Sequence, residues 1–332
     1  MIQLTKSQKG LFPEFMPDMI LMDREQLARL LFSILKNMTL DEFTSLFANK
    51  FTETIEYIKL CNGEPFGNKI SLLFNPHRLD TCSGMSRKNS IYSSLQDFSF
   101  VSGISRVLIL KHPKTLINNL LYRCLQIGIN GRVFVHEIPP FSIRKMALNF
   151  KLNLQSKILG PCGGWGGEMI GFSTISNHYE CCEPSTKTYE GLLKLADFIK
   201  NILPEFNPII HCLPFEDFEN KNNHYDFAFT SPPYYDTEYY SDEETNSCNR
   251  YKTFENWTNN FYIPLIQKTM NSLKTGCYFV LNIGSRKYPL STILIDNFKN
   301  QYDINKLSTI FVNNKGLGKK GEGENFYSIK KI

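Results

Sequence analysis

The sequence predicts an α/β protein: a doubly wound, mostly parallel sheet with a reversed edge, preceded by a mainly helical N-terminal lobe. Three observations carry this. From Lys157 onward, short apolar runs alternate with amphipathic helical patterns, as parallel strands joined by crossover helices do. A glycine run follows the first of those strands, at the point where such sheets approach a ligand. The chain closes on two β-like runs around a Gly/Lys loop, which read as an antiparallel pair.

The 332 residues suffice for two domains, and 42% hydrophobic content is ordinary for a chain with a sizeable core. A formal charge of +5 permits a polyanionic partner without proving one. Nine cysteines, an odd number with no C-x-x-C pair, argue against a disulfide framework and against structural zinc, so no metal is expected. The sequence shows no signal peptide, which points to an intracellular protein. No apolar run approaches the roughly 20 residues that cross a bilayer, so no membrane association is expected.

Residues 1–130 form the expected N-terminal lobe. Asp23 is a candidate N-cap for a helix in which Leu27, Leu30, Leu31, Ile34 and Leu35 recur at helical spacing. Thr39 and Glu42 have capping-box spacing and open a second amphipathic run, with Phe43, Phe47, Phe51 and Ile55 as a core-facing stripe. Residues 76–98 are polar, basic and without apolar period, so they read as a long loop. Within it Arg78, Arg87 and Lys88 are candidate phosphate contacts, against the plainer reading of a solvated loop with scattered charge. Arg106–Leu110 reads as a strand, and a helix is expected from Pro113 to Ile127, ended by Gly128.

Residues 131–332 carry the sheet. His136 precedes Pro139-Pro140-Phe141 and a helix over 142–150. Lys157–Leu159 forms a strand that runs directly into Gly160-Pro161-Cys162-Gly163-Gly164-Trp165-Gly166-Gly167, and a helix begins at Glu168. Strand, glycine loop and helix together let backbone N–H groups approach a ligand closely. The next strand, His178–Cys182, ends at Glu183, an acid about 20 residues past the glycines, where nucleoside-binding sheets hold a ribose diol. A third strand, Ile209–Leu213, leads to Phe215 and Glu216, with Phe215 placed to pack beside an adenine ring. Helices are expected at 189–202, 251–270 and 291–300, and strands at 278–283, 308–312 and 326–329.

The fourth strand ends in the most informative stretch, Asp226-Phe-Ala-Phe-Thr-Ser-Pro-Pro-Tyr-Tyr. The two prolines stop the strand and fix the direction of the Pro232 carbonyl. That carbonyl and the Ser231 hydroxyl are acceptors for an exocyclic amine, and Tyr234 is a candidate plate for a flat ring. A Pro-Pro-Tyr surface turn is the plainer alternative.

With these residues in place, the sequence resembles the S-adenosylmethionine-dependent amino-methyltransferases of DNA that carry a D/N/S-P-P-Y/F motif, over about residues 131 to 332. The resemblance implies a Rossmann-like class I methyltransferase with a seven-stranded sheet. It implies S-adenosyl-L-methionine as cofactor and DNA as partner, with the N-terminal lobe recognising the target. Ser231, Pro232, Pro233 and Tyr234 match the catalytic motif. Pro161 to Gly167 resembles the cofactor loop, Glu183 the ribose-binding acid, and His136 with Pro139-Pro140-Phe141 the segment that closes over the methionine end. The implied reaction is direct methyl transfer to adenine N6 or cytosine N4 in a base flipped from the duplex, at a cost of about a few kcal/mol. One departure stands out: where the family has an acid or serine before Pro161, this chain has Gly160.

Rival classes remain. A nicotinamide dehydrogenase needs a third glycine at 169, and the residue is Met169. An RNA amino-methyltransferase acting on adenine N6 or guanine N2 would use the same corner. A binding-only protein with a degenerate site is the reading Gly160 motivates. The acidic stretch 236–244 reads as a solvated or cofactor-covering loop.

Overall fold

The structure, a computed structural model, describes residues 23–45, 48–83, 90–111, 135, 137–284, 287–307 and 325–332. It divides into two compact units, Met1–Phe47 with Leu79–Val135, and Ala48–Arg78 with His136–Ile332. Among the described residues no helix is long and apolar enough to cross a membrane.

The second unit holds the sheet. Its strands are β1 (Lys157–Gly160), β2 (His178–Cys182), β3 (Asn207–His211), β4 (Tyr225–Thr230), β5 (Leu273–Ile283), β6 (Asp303–Leu307) and β7 (Asn325–Lys330). They lie in the order β3-β2-β1-β4-β5-β7-β6. β1 to β5 are parallel, and β7 runs antiparallel to both β5 and β6. This is the doubly wound, mostly parallel sheet with a reversed edge that the alternation of runs predicts.

Both faces are covered, which the strand sequences require. Successive residues along each strand point to opposite faces, so Ile158, Phe227, Phe229 and Val280 enter one core while Leu159, Ala228, Phe279 and Leu281 enter the other. The first core also takes in Met146, Ile170, Leu192 and Leu195 from the Pro140–Asn149, Gly167–Ser173 and Thr186–Lys200 helices. The second takes in Trp257, Leu265, Ile266 and Leu294 from the helices after β4.

Residues 48–78, read from sequence as part of the N-terminal lobe, belong to the sheet unit. Tyr57, Leu60 and Ile70 pack in its first core, and the Tyr57 hydroxyl bonds Ser173 Oγ at 2.6 Å. The aromatic stripe expected from Phe43 to Ile55 is not one surface. Helix Leu40–Ser45 buries Phe43, but a new helix, Lys50–Cys61, is capped by the Asn49 side chain on the Thr52 N–H, and it leaves Phe51 78% and Ile55 41% exposed. Phe47 lies outside the described residues.

In the first unit, Asp23 caps Arg24–Leu35 through a reciprocal box with Gln26, and Thr39 and Glu42 form the expected second box. Arg106–Leu110 is not a strand; it is the end of the helix Phe98–Lys111. The loop expected over 76–98 holds a short 3₁₀ turn at Pro76–Asp80, a two-residue strand at Cys82–Ser83 and the helix Ile91–Leu95. Residues 84–89 and the helix expected over 113–127 lie outside the described residues.

Two corrections fall near the C terminus. The helix expected over 251–270 is broken into Phe254–Trp257, a π-helical turn Thr258–Tyr262, and Ile263–Ser272. Pro264 has no N–H for the carbonyl one turn earlier, so the turn before it widens. The first strand of the final pair is Asp303–Leu307, ahead of the expected 308–312, which lies outside the described residues.

Glu53, in the helix Lys50–Cys61, is fully buried, and neither carboxylate oxygen has a hydrogen-bond partner among the described residues. Burial, with the nearby Glu56 charge, pushes its carboxyl up to about 7. The folded chain then holds the proton more tightly than the unfolded one, so stability falls as pH rises from 4.5 to 7. Glu53→Gln is expected to raise stability by about 1 to 3 kcal/mol at pH 8 and to change it little near pH 4.5, as read by urea unfolding.

Candidate active site

β1 and β4 pair in parallel, Ile158 beside Phe227 and Leu159 beside Ala228, so both release their loops at one edge of the sheet. From β1 comes the glycine loop, and from β4 the Ser231-Pro232-Pro233-Tyr234 corner. Short bonds hold the strand ends in register. The Gly163 N–H donates to the Cys182 carbonyl at 2.7 Å, and the Glu183 N–H donates to the His211 carbonyl at 2.9 Å. Gly164 and Gly166 have φ of +52° and +95°, a region that costs a side-chain-bearing residue and not glycine.

A cavity opens where these ends meet. Pro161, Cys162, Gly164 and Trp165 line it from the loop, Glu183, Phe215 and Glu216 from the ends of β2 and β3, and Ser231 and Pro233 from the corner. Gly163 and Gly166 shape the loop without lining the cavity. Pro140 and Phe141 do not reach it: Pro140 is buried at the start of the Pro140–Asn149 helix with its carbonyl against Gly171, and the Phe141 ring faces Lys145 Nζ at 4.7 Å. His136 lies outside the described residues.

Ser231 sits in a closed hydrogen-bonded ring. Asn282 Nδ2 donates to Ser231 Oγ at 3.1 Å, Ser231 Oγ lies 3.0 Å from Tyr234 Oη, and Tyr234 Oη donates to the Asn282 carbonyl at 3.3 Å. With the Tyr234 proton committed to Asn282, the serine proton goes to Tyr234, and Ser231 keeps a lone pair outside the ring. Expected as a plate for a flat ring, Tyr234 is 8% exposed and does not line the cavity; its hydroxyl orients Ser231. Tyr235, next along, holds φ of +58°, the left-handed region where a bulky residue is strained. Its ring packs on Phe254, Trp257 and Tyr288, and its hydroxyl donates to the Lys252 carbonyl at 2.6 Å.

The wall is acidic. Burial pushes the Glu183 carboxyl up to about 8, against the pull of the Ser185 and Gly164 N–H groups. Burial also raises Glu216, against the pull of Arg250, whose Nη1 lies 3.6 Å from its Oε1, and of the Tyr251 hydroxyl. Two desolvated carboxylates on one wall suit a ligand rich in N–H and O–H groups.

The acidic stretch after the corner runs along this cavity, lined also by Tyr240, Ser241, Thr245 and Asn246. Glu243 accepts from Ser185 Oγ at 3.3 Å and from the Thr186 N–H at 3.0 Å, and Thr245 Oγ1 donates to the Pro184 carbonyl at 3.0 Å. These bonds hold the stretch against the cavity.

Arg78 is not a surface cation. It is 5% exposed, its Nη1 lies 2.6 Å from Glu137 Oε1, and Glu137 Oε2 accepts from the Gly167 N–H at 3.0 Å, so the arginine supports the glycine loop from behind. Arg87 and Lys88 lie outside the described residues. Sequence reasoning missed Asn282, whose signal was a lone amide inside the apolar run Tyr278–Ile283. It also missed the clamp on Trp165, where Asn75 Nδ2 donates to the Trp165 carbonyl at 3.0 Å and the His77 ring stands edge-on to the indole. Among the described residues no group of three or more His, Cys, Asp or Glu is placed to hold a metal ion.

No protein-family model matches the chain, and no curated protein matches it. Among solved structures, a Listeria monocytogenes protein assigned as a class I S-adenosylmethionine-dependent methyltransferase aligns at 12% identity and a TM-score of 0.45, over 93% of this chain and 88% of its own. The tRNA (m1A58) methyltransferase TrmI of Aquifex aeolicus aligns at 14% identity and 0.38, over 58% and 69%. An rRNA methylase of Streptococcus thermophilus aligns at 10% identity and 0.37, over 56% and 95%.

Replacing Asn282 by Ala removes the amide donor of the Ser231 ring. The variant is expected to lose about 1 to 2 kcal/mol of stability in urea unfolding while keeping its far-ultraviolet circular dichroism.

Proposed function

We propose that this chain is an S-adenosylmethionine-dependent methyltransferase acting on the exocyclic amine of a nucleobase in DNA, adenine N6 or cytosine N4. The observation that carries the reading is the shared cavity: Ser231 and Pro233 line the same space as Cys162, Gly164, Glu183 and Glu216. Its wall fits the cofactor, since the buried carboxylates of Glu183 and Glu216 match a ribose diol and an adenine amine, and Phe215 lines the same space. When bound, the cofactor supplies an electrophilic methyl group on a sulfonium.

The chain's own part is positioning, the largest lever available for a transfer of this kind. The free lone pair of Ser231 and the Pro232 carbonyl accept the two amine hydrogens, which localises the nitrogen lone pair and aims it. The ring through Tyr234 and Asn282 fixes the serine's direction. A strong general base is unnecessary, because the nitrogen loses its proton after attack. The motif resemblance favours DNA, with the base presented out of the stack; target recognition is assigned to the N-terminal lobe, with Arg87 and Lys88 as its phosphate contacts.

The test is incubation with genomic DNA and, separately, with cellular RNA in the presence of labelled cofactor, followed by mass spectrometry of the nucleosides. Label is expected on an amino nitrogen in DNA. Ser231→Ala and Tyr234→Ala are expected to reduce it by about 100-fold or more while S-adenosylhomocysteine binding changes less than about threefold. Tyr234→Phe keeps the buried ring and loses the hydroxyl, so its residual rate measures what the orientation of Ser231 contributes. Label confined to RNA would overturn the DNA assignment, and no label with intact cofactor binding would leave a binding-only protein.

A further inference from the structure

Trp165 lines the cavity from a stretch of backbone that does little to orient it. Gly164 and Gly166 flank it with φ of +52° and +95°, and glycines lend the chain freedom, so the direction of the indole has to be imposed from outside the loop. The side chains that impose it come from residues 71–78, in the helix Ile70–Phe74 and the turn Pro76–Asp80, far ahead of the glycine loop and the proline corner in sequence.

This strap grips the loop at three places. Asn75 Nδ2 donates to the Trp165 carbonyl at 3.0 Å. The His77 ring stands edge-on to the indole, with centroids 5.3 Å apart and 64° between the planes, and its Nε2 shares a hydrogen bond of 2.9 Å with Thr188 Oγ1. Arg78 Nη1 donates to Glu137 Oε1 at 2.6 Å, and Glu137 Oε2 accepts from the Gly167 N–H at 3.0 Å. Trp165 and Thr188 both line the cavity, whereas Asn75 and His77 do not. The strap lies flush against the Thr186–Lys200 helix: a Cβ at Gly191 would collide with Asn75 Oδ1 and come within 2.6 Å of the Phe74 carbonyl. The indole also meets Tyr240, another lining residue, with ring centroids 6.3 Å apart.

We propose that Asn75 and His77 are positioning residues for ligand binding, which hold the Trp165 indole at the angle where it packs against the bound ligand. The proposal rests on the cofactor reading above, with S-adenosylmethionine and its product S-adenosylhomocysteine as the ligands. The Asn75 bond fixes the backbone of the tryptophan, and the His77 edge fixes the rotation of its ring, since an edge-on pair is favourable over a narrow range of orientations. Freedom removed before the ligand arrives is freedom that binding does not have to remove, so the two residues contribute affinity without touching the ligand. Residues 71–78 thereby belong to the binding machinery and not to target recognition.

The experiment is titration calorimetry of the full chain with S-adenosylhomocysteine, with tryptophan emission recorded alongside. The sequence has two tryptophans, Trp165 and Trp257, so the difference between the wild type and Trp165→Phe isolates the emission of Trp165, which is expected to change on binding. His77→Ala is expected to weaken binding about fivefold and Trp165→Ala about tenfold. The double variant is expected to bind no more than about twofold worse than Trp165→Ala, because His77 acts through the indole. Asn75→Ala, which leaves the Trp165 carbonyl without its donor, is expected to follow His77→Ala in the same cycle. His77→Phe keeps a ring edge against the indole and is expected to stay within about twofold of the wild type. Costs that multiply in the double variant, a His77→Phe protein as weak as His77→Ala, or a Trp165 emission indifferent to the ligand each overturn the proposal and leave the cofactor reading standing. Absence of binding to the wild-type chain overturns the cofactor reading, and the proposal with it.

Discussion

The site depends on one constraint, the parallel pairing of β1 with β4 at the centre of the sheet. From β1 the chain crosses outward to β2 and β3, and from β4 it crosses the other way to β5, so the connections diverge and leave a crevice between the two strand ends. No side chain has to be recruited to create that opening; the order of strands does it. The glycine loop and the proline corner are far apart in sequence and share a cavity because each is the first thing its strand releases.

What fills the edge of the crevice is set by local stiffness. Gly164 and Gly166 let the loop turn with positive φ, while Pro232 and Pro233 remove freedom from the opposite side. Tyr235 absorbs the remaining strain in the left-handed region and is held there by three aromatic neighbours and one bond to Lys252. Such strain persists only where the surroundings over-determine it. Here it turns the chain sharply after the corner, into the segment that lines the cavity and latches onto Ser185 and Thr186 through Glu243.

The sheet, the loop and the corner were legible in the sequence because each is written locally: apolar runs of strand length, glycines in succession, prolines in succession. Elements whose identity depends on distant partners were not. Arg78 reads as a loop cation until Glu137 is placed beside it, and Glu168 reads as an ordinary first-turn acid until Tyr179 buries it. The Phe43 to Ile55 stripe keeps helical spacing across a break that only the Asn49 cap reveals. The end of the Phe98–Lys111 helix looks like a strand because five residues of mostly aliphatic side chain fit either period.

Chemically identical carboxylates in this unit are sorted by what surrounds them, and the sorting separates scaffold from site. Burial alone would raise Glu180, yet Lys221 Nζ at 2.5 Å, His211 Nε2 at 2.8 Å and the Tyr225 hydroxyl at 2.7 Å hold it below the usual range. Glu137 is likewise matched, by Arg78 and by the Gly167 N–H. Both stiffen the sheet and its loop. Glu183 and Glu216 line the crevice, Glu168 is buried beside Tyr179, and burial raises all three carboxyls despite the Tyr179 hydroxyl on Glu168, the Ser185 N–H on Glu183 and Arg250 beside Glu216. A fold gains nothing by burying an acid without a partner, since an apolar residue of similar size would be at least as stable there. Glu53 shows that burial by itself does not mark a site, since it lacks a hydrogen-bond partner among the described residues and does not line the crevice; Glu183 and Glu216 differ in facing the same opening as Ser231.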